Sequence, residues 1–71
     1  MDTLHSDEYR AIVKRLIEAR ENAGLTQVEV AEKLGRGQSY ISKIENCQRR
    51  IDALELKELA GVYNADISDL I

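Results

Sequence analysis

The chain has no proline and no tryptophan, and only four glycines, one cysteine and one histidine in 71 residues. So few turn formers argue against a turn-rich β fold and for an all-α bundle. The lone cysteine, Cys47, has no partner for an internal disulfide, which excludes a disulfide framework. The single histidine, His5, is far from Cys47 in sequence. No nucleophile–base pair, phosphate-cradling glycine loop or metal-ligand spacing can be assembled. The expectation is therefore a non-enzyme with no metal, no cofactor and no small-molecule ligand. No stretch approaches the roughly 18–20 apolar residues of a membrane span. The opening residues Met1–Glu8 lack the basic-then-apolar pattern of a secretory signal. A soluble, cytoplasmic protein without membrane contact is expected.

What is present suits one small domain over 1–71, with residues 1–7 as a candidate flexible arm. Hydrophobic residues make up 44% and charged residues 32% of the chain, which excludes a disordered composition. A chain of this size buries only about 60% of its unfolded surface, so its stability margin is thin. The net charge is −3, but it is unevenly laid out. Residues 1–32 sum to −3 and residues 51–71 to −4, whereas residues 33–50 sum to +4. That central segment carries Lys33, Arg36, Lys43, Arg49 and Arg50 against Glu45 alone. Fields are screened over a Debye length of about 8 Å, so this local excess, and not the net charge, governs docking of a polyanion.

Periodicity and capping signals divide the chain into five predicted helices. Helix one starts near Ser6 or Asp7 and carries Tyr9, Ile12, Val13, Leu16, Ile17 and Arg20 on one stripe, with Gly24 just past its end. Helix two opens on a Thr26-x-x-Glu29 capping box, with Leu25 able to staple onto Val30, and closes at Gly35. After the turn Gly35-Arg36-Gly37, helix three runs from about Gln38 to Glu45. At 100° per residue, Tyr40, Ile41 and Ile44 share one side, and Gln38, Ser39, Ser42, Lys43 and Asn46 share the other. A basic loop, Asn46–Arg50, follows. Helix four repeats the start signature with Asp52, Glu55 and an Ile51–Leu56 staple, and its apolar surface comes from Leu54, Leu56, Leu59, Ala60 and Val62 or Tyr63. Asp66 caps a last short helix bearing Ile67, Leu70 and Ile71.

The outer face of helix three is the most informative surface. It could be an ordinary solvated face, but it is short-chained and hydrogen-bonding, it lacks acids apart from Glu45 at its edge, and it follows a helix and a tight turn. Gln can bond adenine bidentately, Lys can reach guanine acceptors, and Ser can serve base or phosphate. Gln27, in the first turn of helix two, places an amide and free backbone N–H groups where a phosphate would sit. Arg49 and Arg50 read as clamps on a phosphate strand beside helix three.

The string Arg20-x3-Gly24-Leu25-Thr26-Gln27-x3-Ala31-x2-Leu34-Gly35-x2-Gln38-Ser39-Tyr40-Ile41-Ser42-Lys43-Ile44-Glu45-Asn46 strongly resembles the phage-repressor or Cro-type helix-turn-helix family, also called the XRE family. The likeness covers residues 16–56 and extends through the last two helices. It implies a five-helix, lambda-repressor-like DNA-binding domain with its helix-turn-helix at helices two and three, as found in bacterial and phage transcription regulators, acting at the nucleoid. By position it assigns Gln38, Ser39 and Lys43 to bases, and Gln27, Tyr40, Ser42 and Asn46 to phosphates. It further implies a semi-buried Arg20–Glu45 bridge tying helix one to helix three. The chain departs from the family at Arg36, where an apolar residue is usual and a phosphate-facing cation is the reading here. It departs again at Cys47, where glycine is usual.

The expected function is sequence-specific regulation of transcription by a homodimer on a palindromic site, because one small module reads only a few base pairs. Ile67, Leu70 and Ile71 form either the dimer surface or a cap on the monomer's own core. The competing reading is an antitoxin-like or antirepressor module that keeps the fold without DNA contact. It predicts acidic or apolar residues on helix three's outer face, and the polar or basic residues there disfavour it, while an antitoxin that also binds its own operator stays an open alternative.

Overall fold

The computed structural model describes residues 6–71. Four α-helices follow one another: α1 (Asp7–Asn22), α2 (Gln27–Leu34), α3 (Gln38–Glu45) and α4 (Ala53–Val62). No strand occurs among the described residues. The expected fifth α-helix is instead a single 3-10 turn, Ile67–Asp69. Asp66 does cap it, accepting from the Ser68 amide, but three residues cannot nucleate an α-helix. The candidate arm falls mostly outside the described residues. Of its last two members, Ser6 is already the N-cap of α1 and Asp7 its first residue.

Local chemistry sets these boundaries. Ser6 accepts the Tyr9 amide at 3.1 Å. The Thr26–Glu29 and Asp52–Glu55 capping boxes are both fully formed, so the first turns of α2 and α4 leave few orphan donors. All four α-helices end alike. The residues just past them, Gly24, Gly35, Cys47 and Asn64, have φ of 72°, 68°, 57° and 53°. The next amide in each case reaches back five residues: Leu25 to Arg20, Arg36 to Ala31, Gln48 to Lys43 and Ala65 to Ala60. This is the Schellman closure, which needs one left-handed residue per helix end.

Cys47 is the costly member of that set, because a Cβ in the left-handed region crowds the following carbonyl. Cys47→Gly is expected to raise stability by about 0.5–1 kcal/mol, or roughly 3–6 °C in a thermal melt of a domain this small. A melting temperature that stays put or falls would show that the site carries no strain.

The core draws Leu16 from α1, Val30 and Ala31 from α2, Ile41 and Ile44 from α3, Leu59, Ala60 and Tyr63 around α4, and Leu70 from the chain end. Leu70 is 2% exposed, so of the trio Ile67, Leu70 and Ile71 it belongs to the monomer's own core, and an interface through its side chain is corrected. Ile67 is half-buried against the same core. Ile71 is 64% exposed. Leu54 on α4, expected to join the apolar surface, also points to solvent.

Candidate nucleic-acid interface

Two short helices and a three-residue turn build the candidate site. Gly35 supplies the left-handed residue that ends α2, and Gly37, in an extended conformation, starts α3 without a side-chain cap. Val30 and Ala31 then bury against Ile41 and Ile44, which fixes α3 across α2 by its apolar side. Gln38, Ser39 and Lys43 are all exposed on α3, and Ser42 is half-buried beside them. Asn46 is exposed at the C-cap, its amide donating to the Ser42 hydroxyl at 3.3 Å. Lys33, Arg36 and Arg50 are exposed as well, so the basic segment presents Lys33, Arg36, Lys43 and Arg50 to solvent.

Behind this face lie two carboxylates. Glu45 accepts from Arg20 Nε at 2.7 Å and Nη2 at 3.2 Å, and the side chains are 6% and 15% exposed. Arg20 Nη1 also donates to the Leu25 carbonyl at 2.8 Å, so one guanidinium joins α1, the α1–α2 turn and α3. The bond to Glu45 holds the Arg20 pKa above its ordinary value. Gln27 Nε2 donates to Glu45 Oε1 at 2.9 Å. The Gln27 amide is therefore anchored to α3 at its nitrogen, half-buried at the start of α2.

Glu55 is the second carboxylate, 6% exposed on α4. It accepts from Arg49 Nη1 at 3.0 Å and Nη2 at 2.8 Å, from the Tyr40 hydroxyl at 2.9 Å and from the Asp52 amide at 3.0 Å. The Arg49 guanidinium pulls its carboxyl down to about 2 against the cost of burial, with help from the Asp52 amide and the Tyr40 hydroxyl. Burial, then the bond to Glu55, pushes the Tyr40 phenol up to about 12. The Arg36 and Arg49 guanidinium carbons lie 4.5 Å and 4.7 Å from the centroid of the Tyr40 ring. Tyr40 and Arg49 are thus both engaged by Glu55, Arg49 with its side chain still 38% exposed, whereas Arg36 stacks on the ring and makes no such ion pair among the described residues.

A carboxyl whose pKa falls on folding adds stability above its unfolded value and loses that stability as pH drops through the folded one. For Glu55 the window runs from 4.5 down to about 2. Linkage sets a ceiling of about 3 kcal/mol, and screening at the 38%-exposed Arg49 side chain reduces this to about 1–2 kcal/mol. The stability gap between wild type and Glu55→Gln, measured by urea unfolding, is expected to be constant above 4.5 and to shrink by that amount towards 2. A gap that stays flat across the window would remove the charge from Glu55's role.

Two residues here exceed their sequence reading. Glu55 is legible as a cap, but its bonds to Tyr40 and Arg49 are tertiary. Tyr9 reads as one member of an apolar stripe, yet its hydroxyl donates to the Arg49 carbonyl at 3.2 Å and accepts the Ile51 amide at 3.1 Å. It pins the basic loop to α1.

The fold and this face together define a helix-turn-helix domain whose second helix is polar on its outer side. The helix-turn-helix family model matches residues 16–70, and the chain belongs to that family, in its XRE branch. The chain is similar to the HTH-type transcriptional regulator ImmR of Bacillus subtilis (strain 168), 43% identical over 58 residues, which are 82% of this chain and 46% of that protein. It therefore spans less than half of that curated relative's length. The structure is also similar to that of an XRE-family like protein from Pseudomonas syringae pv. tomato str. DC3000, at TM-score 0.87 and 43% identity, covering 96% of this chain and 83% of the other.

Proposed function

We propose that this domain binds double-stranded DNA in a sequence-specific manner and regulates transcription, with α3 lying in the major groove. The observation that carries the reading is the exposed, acid-free row Gln38, Ser39 and Lys43 on a helix whose opposite side is fixed in the core. These three read base edges. Arg36, Arg50, Ser42, Asn46 and the N-terminal turn of α2 at Gln27 face the flanking phosphates. Tyr40 and Arg49 border the same strand but are held by Glu55.

The domain acts as a homodimer on a palindromic operator, with half-sites about 34–36 Å apart. The described residues extend 33 Å along their longest axis, so two copies can sit side by side on one face of the duplex. Exposed Ile71 and half-buried Ile67 are the chain-end residues left for the contact. The site lies at the nucleoid. Among the described residues no cluster of metal-binding side chains occurs, and no helix is long and apolar enough to cross a membrane. The reading includes no catalysis.

Fluorescence anisotropy tests this with a duplex selected from a random pool and a mixed-sequence duplex, each titrated at several salt concentrations. The selected duplex is expected to bind tighter by at least about 10³. With four exposed cations in the basic segment 33–50, the mixed-sequence slope of log K against log salt is expected to be no steeper than about −4 per copy. Failure to bind any duplex would end the proposal.

A further inference from the structure

Building on that DNA-reading assignment, we infer that Glu55 is a positioning residue for base recognition. It acts through Tyr40 and Arg49, and Arg49, though partly exposed, is an intramolecular strut, not a phosphate contact. Three observations support this. First, Arg49 is already matched: both Nη atoms reach Glu55, Nη1 also donates to the Arg50 carbonyl at 3.0 Å, and the guanidinium lies on the Tyr40 ring. Swinging it to a phosphate would leave a 6%-exposed carboxylate with only neutral donors, which a buried charge does not tolerate cheaply. Second, the Tyr40 proton is spent on Glu55, so that hydroxyl has none left for a phosphate oxygen.

Third, the attachment points are spread along α3. Tyr40 is in its first turn and Glu45 is its last residue. Glu55 holds the first from α4, and Arg20 holds the second from α1. Two anchors at opposite edges of the buried Ile41 and Ile44 face, roughly 140° apart at 100° per residue, fix the roll of a short helix about its axis. Roll is the coordinate that decides whether Gln38, Ser39 and Lys43 meet base edges or backbone. Arg36, exposed over the same ring, remains the cation available to phosphate.

The test uses Arg49→Met and Tyr40→Phe, each checked by circular dichroism for native helicity, with the two duplexes above and a third carrying one replaced base pair. Arg49→Met is expected to keep the wild-type salt slope on mixed-sequence DNA. It is expected to lose about 3- to 10-fold of the discrimination between the selected duplex and its single-pair variant. Tyr40→Phe, which removes one hydroxyl and leaves packing in place, is expected to lose discrimination in the same range with the slope unchanged. A slope reduced by about 0.9 in Arg49→Met, with discrimination intact, would make Arg49 a phosphate contact and overturn the inference. Unchanged discrimination in Tyr40→Phe would overturn it as well, even if Arg49→Met fails to fold. A wild-type protein that prefers no duplex would overturn the DNA-reading assignment first and this inference with it.

Discussion

Glu45→Gln is expected to lower the unfolding free energy by about 3 kcal/mol, a large share of what a domain of this size holds. Its carboxylate is 6% exposed and receives Arg20 twice and Gln27 once. Glutamine fills the same space but removes the charge, so the Arg20 guanidinium is left 15% exposed without its counter-ion. Losing one partner of a buried pair costs more than the pair itself contributes, because the survivor remains desolvated. Urea unfolding followed by far-UV circular dichroism reads the effect as a midpoint lowered by about 2–3 M, given a slope near 1 kcal/mol/M. The double variant Arg20→Met with Glu45→Leu should recover most of the loss, since apolar residues of similar volume leave no stranded charge. A single-variant midpoint within about 0.3 M of wild type would show that the bridge is solvated and of little consequence.

Lys43→Ala is expected to cut discrimination at one base pair by about 1–3 kcal/mol, roughly 5- to 150-fold, while leaving binding to mixed-sequence DNA within a few-fold of wild type. Arg50→Ala should do the reverse, weakening every duplex alike and flattening the salt slope by about 0.9. The contrast follows from placement. Lys43 is exposed in the last turn of α3, on the face shared with Gln38 and Ser39, whereas Arg50 is exposed in the loop beyond it. Competition titrations against a panel of single-pair duplex variants separate the two. If Lys43→Ala weakens all duplexes equally, Lys43 touches phosphate and the assignment of α3's reading edge is wrong.

Legibility in the sequence tracked the range of the interaction. The start signals at Ser6, Thr26 and Asp52 were visible because a cap bonds an amide three residues on. The helix ends at Gly24 and Gly35 were equally plain, since only a left-handed residue closes the last turn. The final element was over-read. Asp66 is a genuine cap, but Ile67–Asp69 is too short for the α-helix that its apolar spacing suggested. Leu70, just past that turn, is buried in the core while Ile71 is exposed, and spacing alone carries no information about depth.

Composition and periodicity, by themselves, determined an all-helical chain, the polar edge of α3 and the basic segment beside it, because caps and amphipathic faces are local properties. Only the tertiary structure decided which charges of that segment are left facing solvent. Glu45 is answered by Arg20 and Glu55 by Arg49, pairs formed across 25 and 6 residues of chain. Whether a cation faces solvent or a buried carboxylate depends on desolvation, which exists only once the helices pack. Folding thus leaves Lys33, Arg36, Lys43 and Arg50 on the outside without a carboxylate partner among the described residues. It ties partly exposed Arg49 and half-buried Tyr40 to Glu55 behind the helix that carries Gln38, Ser39 and Lys43.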